Sequence, residues 1–335
     1  MTYNERIKHI WQHHDLSDTA LDYTNLIRYA TMAASSHNTQ PWKFELVPGR
    51  ITILPDLTRR CPAVDPDDHH LYVSLGCAAT NLLEAASAAG FKCQTQYDES
   101  ISGLHINLIS APASKSALFN AIPERQCSRS TYDGSEVSHQ NLQLLAQAGT
   151  GDGVSVMLLT GQAKLKQVSE YVTQGNTLQM HDAAWIDELK SWIRFNATHA
   201  VLTGDGLYGK STGSPDVPQW LGRIILRLAL KPRVQNHNDY KNILSSSGVA
   251  VFYSESNDKA HWIEAGRCYE RFALQTTALD IRSAFINPPV EVPELRSKFE
   301  TWLGIGNRRA DLVVRFGYGP AMPPSLRRPV DEVIS

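Results

Sequence analysis

Cysteine is scarce in this sequence of 335 residues, and long hydrophobic runs are missing from it. Its five cysteines, Cys61, Cys77, Cys93, Cys127 and Cys268, form no CxxC pair. This pattern argues against a zinc site and against a disulfide framework, and it favours a reducing compartment. No stretch approaches roughly 18 uninterrupted apolar residues, and the N-terminus lacks the apolar segment of a signal peptide. We therefore expect a soluble, cytoplasmic protein.

An excess of basic charge is also missing. The chain has 32 Lys and Arg against 34 Asp and Glu, so nothing in its charge calls for nucleic acid. GIGNRRA, residues 304–310, follows a predicted helix and precedes a predicted strand, the reverse of a dinucleotide-binding context. The 42% of hydrophobic residues suffice for a core, and the length suits two domains or one large one.

Helical and strand patterns alternate along the first third of the chain. Residues 18–34 have apolar residues at helical spacing, and WKFELV and ITILPD alternate as two short strands around a turn. An Ala-rich helix follows the acidic stretch DPDDHH, residues 65–70, and LHINLI is the next strand. DPDDHH suggests either a metal site or a set of helix caps, and caps are the more usual role.

A second series of elements begins after Pro123. Helical patterns and strands alternate again, with GVAVFYS and ADLVVRFGYG as the clearest strands. Residues 197–240 are rich in Gly, Pro and Asp and too long for a simple connection, so we interpret them as an insertion or lid. Three tryptophans, Trp185, Trp192 and Trp262, lie on predicted helical faces and are assigned to the core.

The two series of elements are similar to each other in sequence. Placing Gly76 on Gly266, a shift of 190 (266 − 76), also aligns Leu82 with Phe272 and Ala86 with Thr276. Each long helix is then followed by a strand. A diverged internal duplication is the simplest account of this pattern.

The polar run AASSHNTQPW, residues 33–42, lies between a predicted helix and a predicted strand. Such a run is typical of a capped turn, in which Ser35, Ser36 and Asn38 bond to helix-end carbonyls and loop amides. The full string SSHNTQPW is more specific, because it resembles the PS-x-x-N-x-Q-P-W loop of nitroreductases, a family of FMN flavoproteins. The resemblance implies that these Ser and Asn side chains contact the ring and ribityl chain of FMN, groups that match their donors and acceptors.

Three further stretches resemble parts of the same family. ERQCSRSTYDG, residues 124–134, is similar to the family's R-x-S-x-R arm, which implies cofactor contacts for Arg125, Gln126, Cys127 and Arg129. Two guanidiniums suit a phosphate dianion, although a solvated polar linker is the alternative. Cys127 stands where the family usually has a hydroxyl side chain. A redox-active thiol is an alternative role for this residue.

The remaining two stretches lie towards the C-terminus. RFGYGPAMPPSLRRPVDEVI, residues 315–334, is similar to the family's C-terminal signature and makes Arg327 the match for its phosphate-contacting Arg. In FINPPVE, residues 285–291, Pro288 and Pro289 match the family's turn beside the flavin N5, but the Gly of that turn is missing.

The resemblance to nitroreductases also explains the similarity between the two series of elements. Nitroreductases form domain-swapped dimers in which each FMN site takes its Arg arm from one chain and its Ser/Asn loop from the other. Here residues 1–118 keep the loop and lack the arm, whereas residues 119–335, with the insertion at about 197–240, keep the arm and lack the loop. We therefore expect an α+β fold with mostly antiparallel sheets flanked by helices, duplicated so that one chain mimics the dimer. The layout is most similar to the Acg-type branch.

The expected function is that of an FMN-dependent NAD(P)H oxidoreductase with one FMN per chain. NADH or NADPH would reduce the flavin at N5, and a small nitroaromatic or quinone-like acceptor would oxidise it. The flavin carries the chemistry, so no side chain is assigned as catalytic. The alternative is an FMN storage protein whose lid prevents turnover. We expect a monomer with small-molecule ligands and no nucleic acid or membrane partner.

Overall fold

Two four-stranded antiparallel sheets and a pair of long packed helices form the centre of the computed structural model, which describes residues 1–16 and 23–335. The expected α+β fold class is confirmed. The predicted helix at 18–34 is found at Thr24–Thr31, while residues 17–22 of that prediction lie outside the described residues. None of the described helices is both long and apolar enough to span a bilayer.

Within residues 1–16 and 23–121, the first half of the chain forms four α-helices and one sheet. The strand order is β1-β2-β4-β3, and burial alternates along β1, where Trp42 and Phe44 face the core. The elements are α1 (Tyr3–Ile10), α2 (Thr24–Thr31), β1 (Trp42–Val47), β2 (Arg50–Pro55), α3 (His69–Ala88), β3 (Phe91–Asp98), β4 (Gly103–Ser110) and α4 (Ala117–Ala121).

The second half repeats this arrangement around more helices. Its main sheet has the order β5-β8-β10-β9, and a two-stranded parallel ribbon, β6-β7, lies apart. The elements are α5 (His139–Ala148), β5 (Val154–Thr160), α6 (Gln162–Gln179), α7 (Ala183–Trp192), β6 (Ile193–Arg194), α8 (Ala197–Thr203), β7 (Leu207–Tyr208), α9 (Gln219–Ala229), α10 (Pro232–Leu244), β8 (Gly248–Ser254), α11 (Lys259–Ala278), β9 (Arg282–Phe285), α12 (Pro288–Glu291), α13 (Pro293–Leu303) and β10 (Arg309–Gly317).

The halves correspond in order and in spacing. The strand order β5-β8-β10-β9 is the same as β1-β2-β4-β3 when β5, β8, β9 and β10 are taken as the counterparts of β1, β2, β3 and β4. Helices α3 and α11 both span 20 residues, and their ends are 190 residues apart (259 − 69 and 278 − 88). These two helices pack against each other in the centre of the molecule.

One hydrophobic core runs through both halves. It joins side chains of α2, α3 and the first sheet, such as Ile27 and Leu75, to those of α11 and the second sheet, such as Phe272 and Phe316. A separate core of α6, α10, α12 and α13 covers the other face of the second sheet. All nine residues of β10 are buried for this reason, whereas Val47 and Ile109 of the first sheet are exposed.

Candidate functional site

The loop of residues 35–40 leaves α2 in an unusual backbone conformation. His37, Asn38 and Gln40 have φ values of 47°, 55° and 54°. Such positive values are uncommon for residues other than glycine, and they persist only where surrounding contacts enforce them. Three side-chain donations enforce the conformation here, from Asn38 Nδ2 to Gly206 O (3.1 Å) and Leu326 O (3.2 Å), and from Gln40 Nε2 to Gly204 O (3.0 Å). The loop therefore joins the insertion to the C-terminal segment.

The arm of residues 125–129 runs beside the edge of the second sheet. Cys127 forms a parallel bridge with Ser283 of β9, and the Ser128 amide donates to Ser283 O at 2.9 Å. Arg125 is buried, with its Nε 2.9 Å from Glu270 Oε1 and its Nη2 donating to Met32 O at 3.0 Å. The arm thus brings a residue of the second half to the end of α2 in the first.

Arg129 differs from Arg125 in its surroundings. Its side chain is exposed, and within residues 1–16 and 23–335 it makes no hydrogen bond or ion pair. A guanidinium in this state keeps its full set of donors for a ligand.

The guanidinium of Arg327 donates its hydrogen bonds to other groups of the protein. Nε donates to Thr31 O at 2.7 Å, and Nη2 donates to the carbonyl oxygens of Met32 and Ala33 at 2.9 Å and 3.1 Å. Nη1 donates to Asn38 Oδ1 (3.1 Å) and Leu326 O (3.0 Å). All five N–H donors of a guanidinium are thereby used. Arg327 satisfies carbonyls at the C-terminal end of α2, a role that the sequence did not predict.

A cavity of about 810 Å³ lies between these segments. It brings together most of the residues that the sequence predicted for the site. Its lining includes Ser35, Ser36, Asn38, Arg125, Gln126, Cys127, Arg129, Pro288 and Arg327. Pro289 is buried and does not line it. The opposite wall comes from the insertion, including Leu207, Gly222, Ile225 and Leu226.

Three residues that line this cavity have a buried polar atom without a partner. His37 Nδ1, His70 Nε2 and Trp185 Nε1 are all buried and make no hydrogen bond in the described structure. Burial, together with the nearby charge of Arg129, lowers the pKa of His37 to about 4, so its imidazole is neutral near neutral pH. Buried polar atoms left unpaired are costly, and each is a natural contact for a polar ligand. Trp185 was assigned to the core, and this was wrong because its indole lines the cavity.

Two buried charged residues of the site were missed in the sequence. Glu270 of α11 pairs with Arg125, and burial raises its pKa. Glu270 lies four residues after Gly266, on the face of α11 that packs inwards. A charged residue at this spacing from Gly266 is the sequence signal that would have identified it. Arg315 lines the cavity from β10, donates to Ser128 O and Ser130 O, and stacks over Tyr132 at 4.1 Å. The signal that would have found it was a charged residue inside the apolar run LVVRFG of β10.

The stretch DPDDHH lies at the start of α3. Asp65 accepts hydrogen bonds from the amides of His70 and Leu71, both at 3.0 Å, so it caps the helix as expected. Burial raises its pKa to about 7. Asp65, His69 and His70 place potential ligand atoms within 4.8 Å of one another. However, His69 Nε2 is bonded to Asp311, and Arg309 lies beside the same carboxylate. These contacts favour the capping role.

Comparisons with known proteins agree with the pattern of motifs. No protein-family profile matches the chain. Proteins of two Mycobacterium tuberculosis strains, each named "Putative NAD(P)H nitroreductase", are 22% identical over 321 residues, which covers 92% of this chain and 90% of theirs. The resemblance to nitroreductases is confirmed.

Solved nitroreductase structures are similar over a smaller part of the chain. The FMN-bound nitroreductase of Bacteroides fragilis is 14% identical, with 64% of this chain and 96% of that chain covered and a TM-score of 0.38. The FMN-dependent nitroreductase NfnB of Mycobacterium smegmatis, solved with NADPH, is also 14% identical, with the same coverage and a TM-score of 0.42.

Proposed function

We propose that this nitroreductase-like chain binds one FMN in the 810 Å³ cavity and uses it as an NAD(P)H-dependent oxidoreductase. One observation carries the proposal. The Ser/Asn loop of the first half and the Arg arm of the second half, about ninety residues apart in sequence, line the same cavity. The names of the Mycobacterium tuberculosis relatives support the same reaction class.

The residues at the cavity fit an FMN. Arg129 has all its donors free, and Nη1 of Arg125 makes no hydrogen bond in the described residues, so the two suit a phosphate. Ser35, Ser36 and the unpartnered His37 Nδ1 suit the polar edge of a flavin and its ribityl hydroxyls. Val73, Cys77 and Leu312 offer apolar contact to a ring. Arg327 supports the loop by holding the end of α2 and Asn38.

The protein's part in the reaction is positioning and the exclusion of water. A bound flavin supplies hydride and electron transfer, which needs no acid or base from the chain. Glu270 fixes the guanidinium of Arg125 at one end of the cavity. Pro288 and the neighbouring Pro289 shape the wall near the start of α12, where we place the flavin N5 side. The apolar insertion wall covers the cavity and keeps water from the ring.

We also infer that the chain works as a fused pair of nitroreductase halves, 1–118 and 119–335, and so as a monomer. The matching strand orders and the 190-residue spacing of α3 and α11 support this inference. The acceptor is a small molecule of nitroaromatic or quinone-like type, and the compartment is the cytoplasm. FMN storage has less support, because the Mycobacterium tuberculosis relatives, which align with 92% of this chain, are named as reductases.

The first test is the visible absorption of the purified protein after loading with FMN. We expect a flavin-to-chain ratio near one, and a ratio near two would contradict the single composite site. Anaerobic mixing with NADH or NADPH should then bleach the bound flavin. Bleaching by dithionite alone would instead identify a storage protein.

The second test separates Arg129 from Arg327. Removal of one charged hydrogen-bonding partner weakens binding by about tenfold or more, so Arg129→Ala should weaken FMN binding without changing the melting temperature of the flavin-free protein. Arg50→Ala is the matched control, because Arg50 is exposed and does not line the cavity. Unchanged FMN affinity in Arg129→Ala would reject the phosphate assignment. Arg327→Ala should lower the flavin-free melting temperature, because it removes five hydrogen bonds inside the protein.

A further inference from the structure

Helix α9 of the insertion has two apolar faces. The inner face lines the cavity through Gly222, Ile225 and Leu226. On the outer face Trp220, Ile224 and Leu228 recur every four residues and are 66%, 50% and 63% exposed. Residues four apart lie along one side of a helix, so these three form a continuous apolar stripe in solvent. We call them the α9 stripe.

The exposed apolar surface is concentrated in this region. Half of the large hydrophobic residues that are exposed in the described structure lie within residues 197–244, a small part of the chain. They are Leu202, Trp220, Ile224, Ile225, Leu228, Val234 and Tyr240. Single exposed hydrophobic residues are normal, but a patch of this kind marks an interaction surface.

The charged residues within α9 and next to it in the sequence all have one sign. Residues 217–238 contain Arg223, Arg227, Lys231 and Arg233 and no Asp or Glu, although the chain as a whole has a net charge of −2. The nearest acidic residues in the sequence, Asp216 and Asp239, lie outside this segment, and Lys210 Nζ is 4.0 Å from the Asp216 carboxylate. The partner of this face is therefore expected to be anionic.

A second copy of the chain fits this surface poorly. A symmetric pairing through the α9 stripe would bring each basic cluster against its own copy, and like charges in contact oppose association. A helix with Trp and aliphatic residues on one side and only basic charges around them is instead typical of helices that lie in the interfacial region of a membrane. Tryptophan is itself enriched at that depth.

We propose that α9 docks the protein on an anionic membrane surface, with Trp220, Ile224 and Leu228 in the lipid interface and the basic residues at the headgroups. The helix has 11 residues and lies on the surface without crossing the bilayer. In this orientation α9 lies between the cavity and the membrane surface. This revises the expectation that the protein has no membrane partner.

The test is co-sedimentation of the full chain with phosphatidylcholine vesicles that contain or lack phosphatidylglycerol. The wild type should pellet with the phosphatidylglycerol vesicles and remain in solution with phosphatidylcholine alone, and added salt should weaken the binding. Removal of exposed apolar side chains in I224Q/L228Q should weaken the binding about tenfold or more. In R223Q/R233Q we expect a loss of about fivefold for each basic residue removed.

The matched control is Leu57→Gln, which removes an exposed leucine (55%) outside the insertion. It should bind vesicles as the wild type does. All variants change exposed side chains, and equal melting temperatures would verify that they fold. The proposal is overturned by a wild type that stays in solution with anionic vesicles at low salt. It is equally overturned by vesicle binding that I224Q/L228Q leaves unchanged, or by a wild-type dimer in sedimentation velocity that becomes monomeric in I224Q/L228Q.

Discussion

Gly76 of α3 and Gly266 of α11 face each other's helix in a reciprocal way. A Cβ atom on Gly76 would lie 1.9 Å from the Ile263 carbonyl oxygen, and one on Gly266 would lie 1.9 Å from that of Val73. The two contacts are related by the same shift of 190 residues (263 − 73 and 266 − 76). An approximate two-fold axis at the helix crossing produces such reciprocity. The two glycines thus let the central helices approach at backbone distance.

Substitution of either glycine by alanine should destabilise the protein. The added Cβ would collide with backbone, so the helices must move apart, and overpacking of this kind costs about 1–3 kcal/mol. The better helix propensity of alanine offsets up to about 1 kcal/mol of that cost. Urea unfolding of Gly76→Ala and Gly266→Ala measures the net loss, which we expect to be similar for both.

The double variant tests whether the glycines share one crossing. Once the first alanine has separated the helices, the second should cost less, with a coupling of about 1 kcal/mol. Strictly additive losses would show that the two contacts are independent and would count against the shared axis.

The imidazole of His37 should make stability depend on pH. Its pKa is lowered to about 4 in the folded protein and is near 6.5 when the chain is unfolded, because burial disfavours the charged form. The folded state therefore binds no proton at pH values where the unfolded state does. Stability from this residue is present above about pH 6.5 and is lost as the pH falls towards 4, by about 2 kcal/mol between about pH 7 and about pH 5.

His37→Asn isolates this effect. Asparagine tolerates the positive φ of residue 37 and does not titrate. Urea unfolding at both pH values should show a smaller loss of stability on acidification in the variant than in the wild type. Equal losses in the two proteins would mean that other buried groups whose pKa is lowered by burial, such as His70, cause the pH dependence.

Asp205 should anchor the insertion. It accepts from Arg194 Nη2 at 2.7 Å and is also paired with Arg59, and all three side chains are largely buried. Removing the charge in Asp205→Asn leaves two buried guanidiniums without a counter-charge, a loss of about 3–5 kcal/mol for such pairs. Because Gly204 and Gly206 are bound to the loop at 38–40, we expect the loss to appear as local opening and faster proteolysis within residues 197–240.

The control for Asp205 is Asp187→Asn. Asp187 pairs with Lys190 at 2.9 Å on the surface of α7 and is 77% exposed, so its loss should leave proteolysis unchanged. If both variants were cleaved at the wild-type rate, the ion pair at Asp205 would not be what holds the insertion in place.

Features with a local signal could be predicted from the sequence. The long apolar periods of α3 and α11 marked both central helices, and the motifs at 35–42 and 125–129 identified two segments that do line one cavity. Strand β3 was missed, because FKCQTQYD alternates between partly buried and exposed residues and has few β-branched side chains. Strand β9 was missed as well, since it has only four residues.

The surroundings of the predicted arginines could not be predicted. Nothing near residue 327 indicates that its donors bond to carbonyls almost 300 residues earlier. Pairing of Arg125 with Glu270 likewise depends on the packing of two halves. Motifs identify which residues meet at a site, whereas only the folded structure shows which of their donors are left for a ligand.

The chain's final residues return to the first sheet. Val333 O accepts from the amide of Phe44 at 2.8 Å, and the Ser335 amide donates to Phe44 O at 2.9 Å, so this segment covers the open side of edge strand β1. During synthesis the ribosome makes β1 nearly 300 residues before that cover. An uncovered edge strand invites pairing with other chains. The nascent protein therefore carries an open edge until residues 333–335 have been made, and it is exposed to misassembly during that interval.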